Sequence, residues 1–214
     1  MGKIGKFVIF ISLPFILLMF FVNLMMSTTF LRLEYGVAWF PMDPYGFSQA
    51  DRLNFGSTVI EYITSSEDRA LLDGLRDQNG NPIFIAREVD HLVDVKNVLV
   101  SLNQAYLVVT IFAAFFVSSS VFRKSDDWRS ALRGGAIFTL MLLVAIGAFA
   151  LTSFWTFFEK FHAIFFEGDS WLFYNTDAII RLFPLQLWQD AVLYLVVAVI
   201  LSCLGIIFWL KPKY

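Results

Sequence analysis

The sequence predicts an all-α membrane protein with four transmembrane helices and a small, mostly helical extracellular cap. Of its 214 residues, 58% are hydrophobic, and a helix needs ~20 apolar residues to cross a hydrocarbon core. Four apolar stretches meet that length: 7–26, 98–122, 134–158 and 191–210. The first follows two lysines but has no small-residue cleavage site after it, so we expect a retained anchor. With four spans, both termini lie on one side of the membrane.

The Lys and Arg residues indicate which side that is. Residues 1–6, 123–133 and 211–214 hold 8 of the 16 Lys and Arg residues in only 21 positions, and the other 8 are spread over the much longer remaining segments. Positive charge concentrates in short cytoplasmic segments, so we expect a bacterial cell-membrane protein with both termini cytoplasmic. The excess of acidic residues then lies outside, and nothing in the charge pattern indicates a nucleic-acid partner.

The segments between the spans complete the predicted organisation. We expect transmembrane helix 1 over 1–26, an extracellular cap over 27–97, helix 2 over 98–122, a cytoplasmic loop over 123–133, helix 3 over 134–158, an extracellular loop over 159–190, and helix 4 with a cytoplasmic tail over 191–214. Two capping-box patterns, Ser48 with Asp51 and Ser65 with Asp68, predict helix starts within the cap. Residues 79–82, Asn-Gly-Asn-Pro, predict a turn.

The chain has two histidines, and the predicted hairpin of spans two and three brings them to one height. His91 lies 32 residues before Arg123, and His162 lies 29 residues after Arg133. At 1.5 Å per helical residue, both stand roughly 45 Å above the cytoplasmic turn. Carboxylates flank both histidines, so we expect a site at the outer headgroup level that acts on membrane lipid.

Two other functions are compatible with these residues. Glu88 and His91, like Glu159 and His162, have the i,i+3 spacing of di-metal bundles, which favours a metal-dependent membrane hydrolase or oxidase. Spans one and four contain no glutamate to complete a di-metal site, although a single zinc would need fewer ligands. A non-enzymatic sensor or permease is the third possibility, but the span centres lack the polar lining that transport requires.

Several segments resemble one known family. Tyr45-Gly46-Phe47, Asp51-Arg52-Leu53, the run 91–96 (His-Leu-Val-Asp-Val-Lys), the run 161–173 and Leu182-Phe183-Pro184 are similar to the bacterial lipoprotein intramolecular transacylases, called Lit. The resemblance implies transfer of the sn-2 acyl chain of a diacylglyceryl lipoprotein to the α-amino group of its N-terminal cysteine, which leaves a lyso-form lipoprotein. It also implies that His91 and His162 are the catalytic residues. Neither a cofactor nor a metal is required for this acyl transfer.

The same reasoning selects the neighbours of the histidines. We expect His91, oriented by Asp94 or Glu88, to act as the base, and His162 to assist the oxyanion or the departing glyceryl oxygen, although the roles could be exchanged. Residues expected to support them are Glu88, Asp94, Lys96 and Asp169. Residues expected to line a substrate pocket are Tyr45, Phe158, Phe161, Phe165 and Trp171.

Overall fold

The computed structural model describes residues 2–210, and every secondary-structure element in them is an α-helix. The nine helices are α1 (Lys3–Met25), α2 (Thr28–Gly36), α3 (Gln49–Thr64), α4 (Ala70–Asp73), α5 (Ala86–Phe122), α6 (Asp127–Thr152), α7 (Phe154–Phe165), α8 (Ala178–Leu182) and α9 (Leu185–Trp209). Four segments of the described chain are long and apolar enough to cross a membrane: Lys3–Met25, Ala86–Phe122, Asp127–Phe149 and Leu185–Trp209. The predicted all-α fold with four transmembrane helices is therefore confirmed.

Helix α5 is longer than a membrane requires. Its 37 residues extend about 56 Å at 1.5 Å each, against a hydrocarbon core of about 30 Å. The apolar stretch begins only at Val98, and the turns before it carry the charged residues and His91. One continuous helix thus joins a polar segment to an apolar one.

The described residues form two compact units. The first contains the chain up to Val22, the segment Ser101–Phe158 and the chain from Leu193 onward. Its core packs Leu13 of α1 against residues of α6 and α9, namely Ala136, Val199 and Cys203. A Cβ atom at Gly135 would lie 3.1 Å from the backbone oxygen of Phe10. The glycine therefore permits close approach of α1 and α6, as small residues do between membrane helices.

The second unit contains Asn23–Val100 and Glu159–Val192. Helices α2, α3 and α8 pack together in it, and its buried side chains include Leu31, Val59, Leu72, Val89 and Leu182. The hydroxyl of Tyr35 donates to the carbonyl of Leu182 at 2.5 Å, which ties α2 to α8. Both histidines belong to this unit.

The local signals within this unit had mixed outcomes. Ser48 and Asp51 form the predicted capping box at the start of α3, and residues 79–82 form the predicted turn, with Gly80 at a φ of 84°. The second pattern is wrong as a helix start: Ser65 ends α3, its amide donating to the carbonyl of Glu61, and the next helix begins at Ala70.

Candidate active site

The structure brings the two histidines together around one aromatic ring. His91 lies in α5 and His162 in α7, while Phe166 follows the end of α7. The Phe166 ring centroid lies 4.8 Å from that of His91 and 5.8 Å from that of His162. The imidazole centroids are therefore no more than about 11 Å apart. A substrate of a few atoms between them could contact both.

His91 is the more enclosed of the two imidazoles. It is 8% exposed, and the ring of Phe173 covers it at 5.3 Å in an edge-on arrangement. Its Nδ1 atom is buried and has no hydrogen-bond partner among residues 2–210. A buried nitrogen of this kind is uncommon, because an unpaired polar group loses its hydration without compensation. His91 thus has one hydrogen-bonding atom available for a ligand or a rearrangement of the site.

His162 lies in a partly open aromatic environment. Trp171 stacks on its imidazole, with the centroids 4.6 Å apart and the planes inclined by 26°. Phe161 meets the imidazole edge-on at 5.4 Å and packs on Phe165 at 5.2 Å. Of the five predicted pocket residues, Phe161, Phe165 and Trp171 therefore form one cluster with His162.

The other two predicted pocket residues, Tyr45 and Phe158, have the following contacts. The backbone carbonyl of Tyr45 accepts a hydrogen bond from Arg181 at 3.2 Å, and the guanidinium of Arg181 lies 5.7 Å from the Tyr45 ring centroid. Phe158 belongs to the first unit and stacks on Trp155 with the centroids 5.8 Å apart. Tyr45 thus contacts Arg181, and Phe158 contacts Trp155.

The carboxylate of Glu88 accepts hydrogen bonds from two backbone amides. The carboxylate is 1% exposed; one oxygen accepts from the amide of Ile85 and the other from the amide of Ile179, both at 2.8 Å. The first bond caps the start of α5, as a glutamate at the third helical position commonly does. The second joins α5 to the start of α8. Glu88 therefore positions the helix turn that carries His91.

The remaining predicted supporting residues are more peripheral. Lys96 donates to the carbonyl of Glu67 at 2.6 Å, and its ammonium lies 4.2 Å from the ring centroid of Tyr62. Asp94 is exposed, and so is Asp169, whose carbonyl accepts from the amide of Leu172 at 3.0 Å. The residues that the structure describes contain no cluster of three or more His, Cys, Asp or Glu side chains suited to a metal ion.

Sequence reasoning missed the residues that hold the loop after α7 against α5. The guanidinium of Arg87 lies 4.9 Å from the ring centroid of Phe173 and pairs with Asp177 at 2.9 Å. Asp177 also accepts from the amide of Tyr174 at 2.8 Å. The position of Arg87, one helical turn before His91, was the only sequence signal that could have indicated its role. Its partner Asp177 is 90 residues away in sequence, so spacing alone could not identify the pair.

A buried pair of carboxyl groups lies elsewhere in the second unit. Glu34 in α2 is 2% exposed and is hydrogen-bonded to Asp190. Burial, with the hydrogen bond and the negative charge of Asp190, raises the pKa of Glu34 to about 7. Two carboxylates in one buried site repel each other, so one of them retains its proton.

Comparisons with known proteins agree with this architecture. The family model described as "Lipoprotein intramolecular transacylase Lit" matches residues 7–188. An uncharacterised protein of Aquifex aeolicus (strain VF5) is 28% identical over 207 residues, which cover 97% of this chain and 92% of that protein.

Solved structures show the same fold. The membrane-integral lipoprotein intramolecular transacylase Lit from Bacillus cereus matches with a TM-score of 0.74 at 19% identity, over 97% of this chain and 94% of that one. A histidine-to-alanine variant of the same protein matches with a TM-score of 0.71 at 19% identity, over 97% and 91%. Because the family model spans most of the sequence, this multi-pass membrane protein belongs to the lipoprotein intramolecular transacylase family, Lit.

Proposed function

We propose that this protein moves the sn-2 acyl chain of a diacylglyceryl lipoprotein to the α-amino group of the lipoprotein's N-terminal cysteine. The amine nitrogen attacks the ester carbonyl carbon, the bond from that carbon to the glyceryl sn-2 oxygen breaks, and a proton passes from nitrogen to the departing oxygen. The product is a lyso-form lipoprotein with an amide-linked acyl chain. The observation that supports this proposal most is the pair of imidazoles around Phe166 in a member of this family.

The proton transfer from the amine to an imidazole is uphill. An α-ammonium group has a pKa near 8 and a free imidazole has one near 6.5, a difference of about 1.5 units, or about 2 kcal/mol. Burial, with the charge of His162, lowers the pKa of His91, so transfer to His91 costs more than that. General-base assistance typically contributes ~10²–10⁴ in rate. Because the amine and the ester belong to one molecule, holding them in contact contributes further through effective molarity. Acyl transfer by this route needs no acyl-enzyme intermediate.

We assign the two histidines different tasks on the basis of their surroundings. His91 is enclosed between Phe166 and Phe173, and an apolar environment favours the neutral imidazole that can accept a proton from the amine. His162 is more open and is held in orientation by its stack on Trp171. It would donate a hydrogen bond to the oxyanion or to the departing glyceryl oxygen. The reverse assignment uses the same geometry.

The aromatic cluster around His162 suits an acyl chain. Phe161 is 47% exposed in the described structure, and together with Phe165 and Trp171 it offers apolar surface beside the reacting groups. Burying a methylene group against such surface contributes about 0.8 kcal/mol. Asp94, Lys96 and Asp169 remain proposed supporting residues, with milder effects than the histidines.

The proposal includes the membrane topology. The concentration of Lys and Arg in residues 1–6, 123–133 and 211–214 supports cytoplasmic termini. The histidines would then face the extracellular side, with the cap over 27–97 and the loop over 159–190. That is the side on which lipoprotein diacylglyceryl groups would enter from the outer leaflet.

Replacement of each histidine tests the proposal. His91→Gln and His162→Gln should each lower the rate of lyso-form production by ~10²–10⁴, because a general acid or base contributes that much. The readout is mass spectrometry of the N-terminal lipopeptide, which distinguishes an N-acylated, S-monoacyl product from the diacyl substrate. Asp94→Asn, an exposed neighbour, is the matched variant and should reduce the rate far less.

Membrane insertion and protein level must be measured alongside, since a misfolded variant also loses activity. If His91→Gln or His162→Gln is inserted normally and still converts diacyl substrate at near the wild-type rate, the assignment is wrong for that residue.

A further inference from the structure

A separate cavity lies in the second unit, where the end of α2, residues 37–48 and the start of α3 meet. Its volume is about 470 Å³, and its walls include Tyr35, Phe40, Met42, Asp43 and Arg52. None of the residues placed around the histidines above lines it. The cavity combines a buried cation with an apolar mouth.

The cation is Arg52, which is 5% exposed. Its Nη1 donates to the carbonyl of Pro41 at 2.7 Å, and its guanidinium lies 5.0 and 4.9 Å from the ring centroids of Tyr35 and Phe40. Its Nε atom is buried without a hydrogen-bond partner in the described part of the chain. A guanidinium is rarely buried to this extent unless a carboxylate or phosphate pairs with it.

The nearby carboxylate is already engaged by another arginine. The side chain of Asp43 is 1% exposed and accepts from Nη2 of Arg181 at 2.8 Å and from the amide of Phe47 at 2.7 Å. Although burial alone would raise it, the bonds from Arg181 and Phe47 lower the pKa of Asp43, so it is ionised. Burial raises the pKa of the Tyr35 hydroxyl to about 12, so it is neutral.

These groups therefore carry one uncompensated positive charge. Two guanidinium groups, those of Arg52 and Arg181, face one carboxylate, that of Asp43. Removing a cation from water without a counter-charge is unfavourable, and an anion bound in the cavity would offset that cost. The planar guanidinium fork matches phosphate oxygens in particular.

The mouth of the cavity indicates what carries the anion. Met42 lines the cavity and is 91% exposed, and the neighbouring Trp39 is 65% exposed. Exposed apolar side chains of this size, with a tryptophan among them, are typical of the membrane interface. An inorganic anion would gain nothing from them, whereas the glycerol and acyl chains of a lipid would cover them.

We propose that this cavity binds the phosphodiester of an anionic phospholipid, with Arg52 as its cationic contact and Met42 and Trp39 against its glycerol and acyl region. This is a lipid site distinct from the histidine site, and it does not depend on the acyl-transfer proposal.

Two variant pairs test the site in the purified full chain. Native mass spectrometry would measure binding of phosphatidylglycerol to protein released from a non-ionic detergent. Arg52→Gln should weaken binding about 10- to 100-fold, because hydrogen bonds to a charged group are typically worth that much, and Arg32→Gln, an exposed arginine of α2, should leave it unchanged. Met42→Glu places a carboxylate at the exposed mouth and should weaken binding about tenfold by repulsion, whereas Met42→Gln should not.

The Met42 pair keeps the test decisive if the buried Arg52 variant does not fold. Phosphatidylcholine and inorganic phosphate serve as competing probes in the same measurement. If phosphatidylcholine and inorganic phosphate each displace phosphatidylglycerol only weakly, the proposal is supported. Full displacement by millimolar inorganic phosphate would show a simple anion site and overturn the lipid assignment. Equal phosphatidylglycerol binding by wild type, Met42→Glu and folded Arg52→Gln would overturn the site itself.

Discussion

Replacing Glu88 by Gln would separate a positioning role from a chemical one. The carboxylate of Glu88 accepts one amide at each oxygen, from Ile85 and from Ile179, both at 2.8 Å. A glutamine has the same shape but only one acceptor oxygen, and its NH₂ group would face an amide N–H. One buried amide is thus left without an acceptor, and the remaining bond loses its charge.

The expected loss of stability follows from these two bonds. A net hydrogen bond to a charged group is worth ~1.5–3 kcal/mol, and a buried unsatisfied donor costs ~1–3 kcal/mol. Since the two costs overlap in part, we expect Glu88→Gln to reduce the free energy of unfolding by about 2–4 kcal/mol. For a chain of this length that corresponds to a fall in thermal midpoint of about 5–15 °C.

We expect Glu88→Gln to have only a modest effect on activity. The lost bonds hold α8 to the start of α5, and His91 lies on the next turn of that helix, so below the thermal transition Glu88→Gln should lower lyso-form production by less than tenfold. The thermal midpoint would be followed in detergent, with turnover measured by mass spectrometry at a temperature where the variant is folded. Glu61→Gln, an exposed glutamate of α3, is the matched control, and it should change stability by no more than about 0.5 kcal/mol.

One result would refute this reasoning. If Glu88→Gln keeps the wild-type thermal midpoint but loses activity as completely as His91→Gln, Glu88 acts in the chemistry and its amide bonds do not explain its role.

Three further predictions concern protonation, metals and topology. Because the folded-state pKa of Glu34 is raised to about 7 by burial and Asp190, its contribution to stability is fully present below about pH 4.5 and is lost as the pH rises through 7. The thermal midpoint of Glu34→Gln minus that of wild type should therefore rise between pH 4.5 and pH 8. If this difference is the same at both pH values, as we expect for the Glu61→Gln control, the buried carboxyl pair is contradicted. Chelator treatment should leave lyso-form production intact, and loss of turnover restored by zinc or iron would favour a metal mechanism instead. Single cysteines would be placed at Gln78 and at Ser125 in a Cys203→Ala background and treated with an impermeant thiol reagent in intact cells without an outer membrane. The cysteine at 78 should react and the one at 125 should not. The opposite pattern would show that the topology is inverted.

The sequence by itself determined the features that depend on local composition. The four spans follow from the length of apolar runs, because a hydrocarbon core of about 30 Å selects ~20 residues whatever their neighbours are. The capping box of Ser48 and Asp51 follows for a similar reason, since its two bonds join residues three apart. The identical pattern at Ser65 failed because α3 continues to Thr64 and ends there, and how far a helix continues depends on what it packs against.

The contacts that build the candidate site were decided only by the tertiary structure. Sequence spacing predicted a similar height for His91 and His162, but it held no information on Phe166 as the ring that lies near both. Glu88 was expected beside His91, yet its acceptor atoms bind amides, one of them 91 residues away. The unbalanced charge at Arg52 likewise emerges only when Arg181 pairs with Asp43 across 138 residues. Periodicity records which residues share a face of one helix, whereas hydrogen-bond and charge balance depend on which faces meet, and packing of distant segments alone settles that.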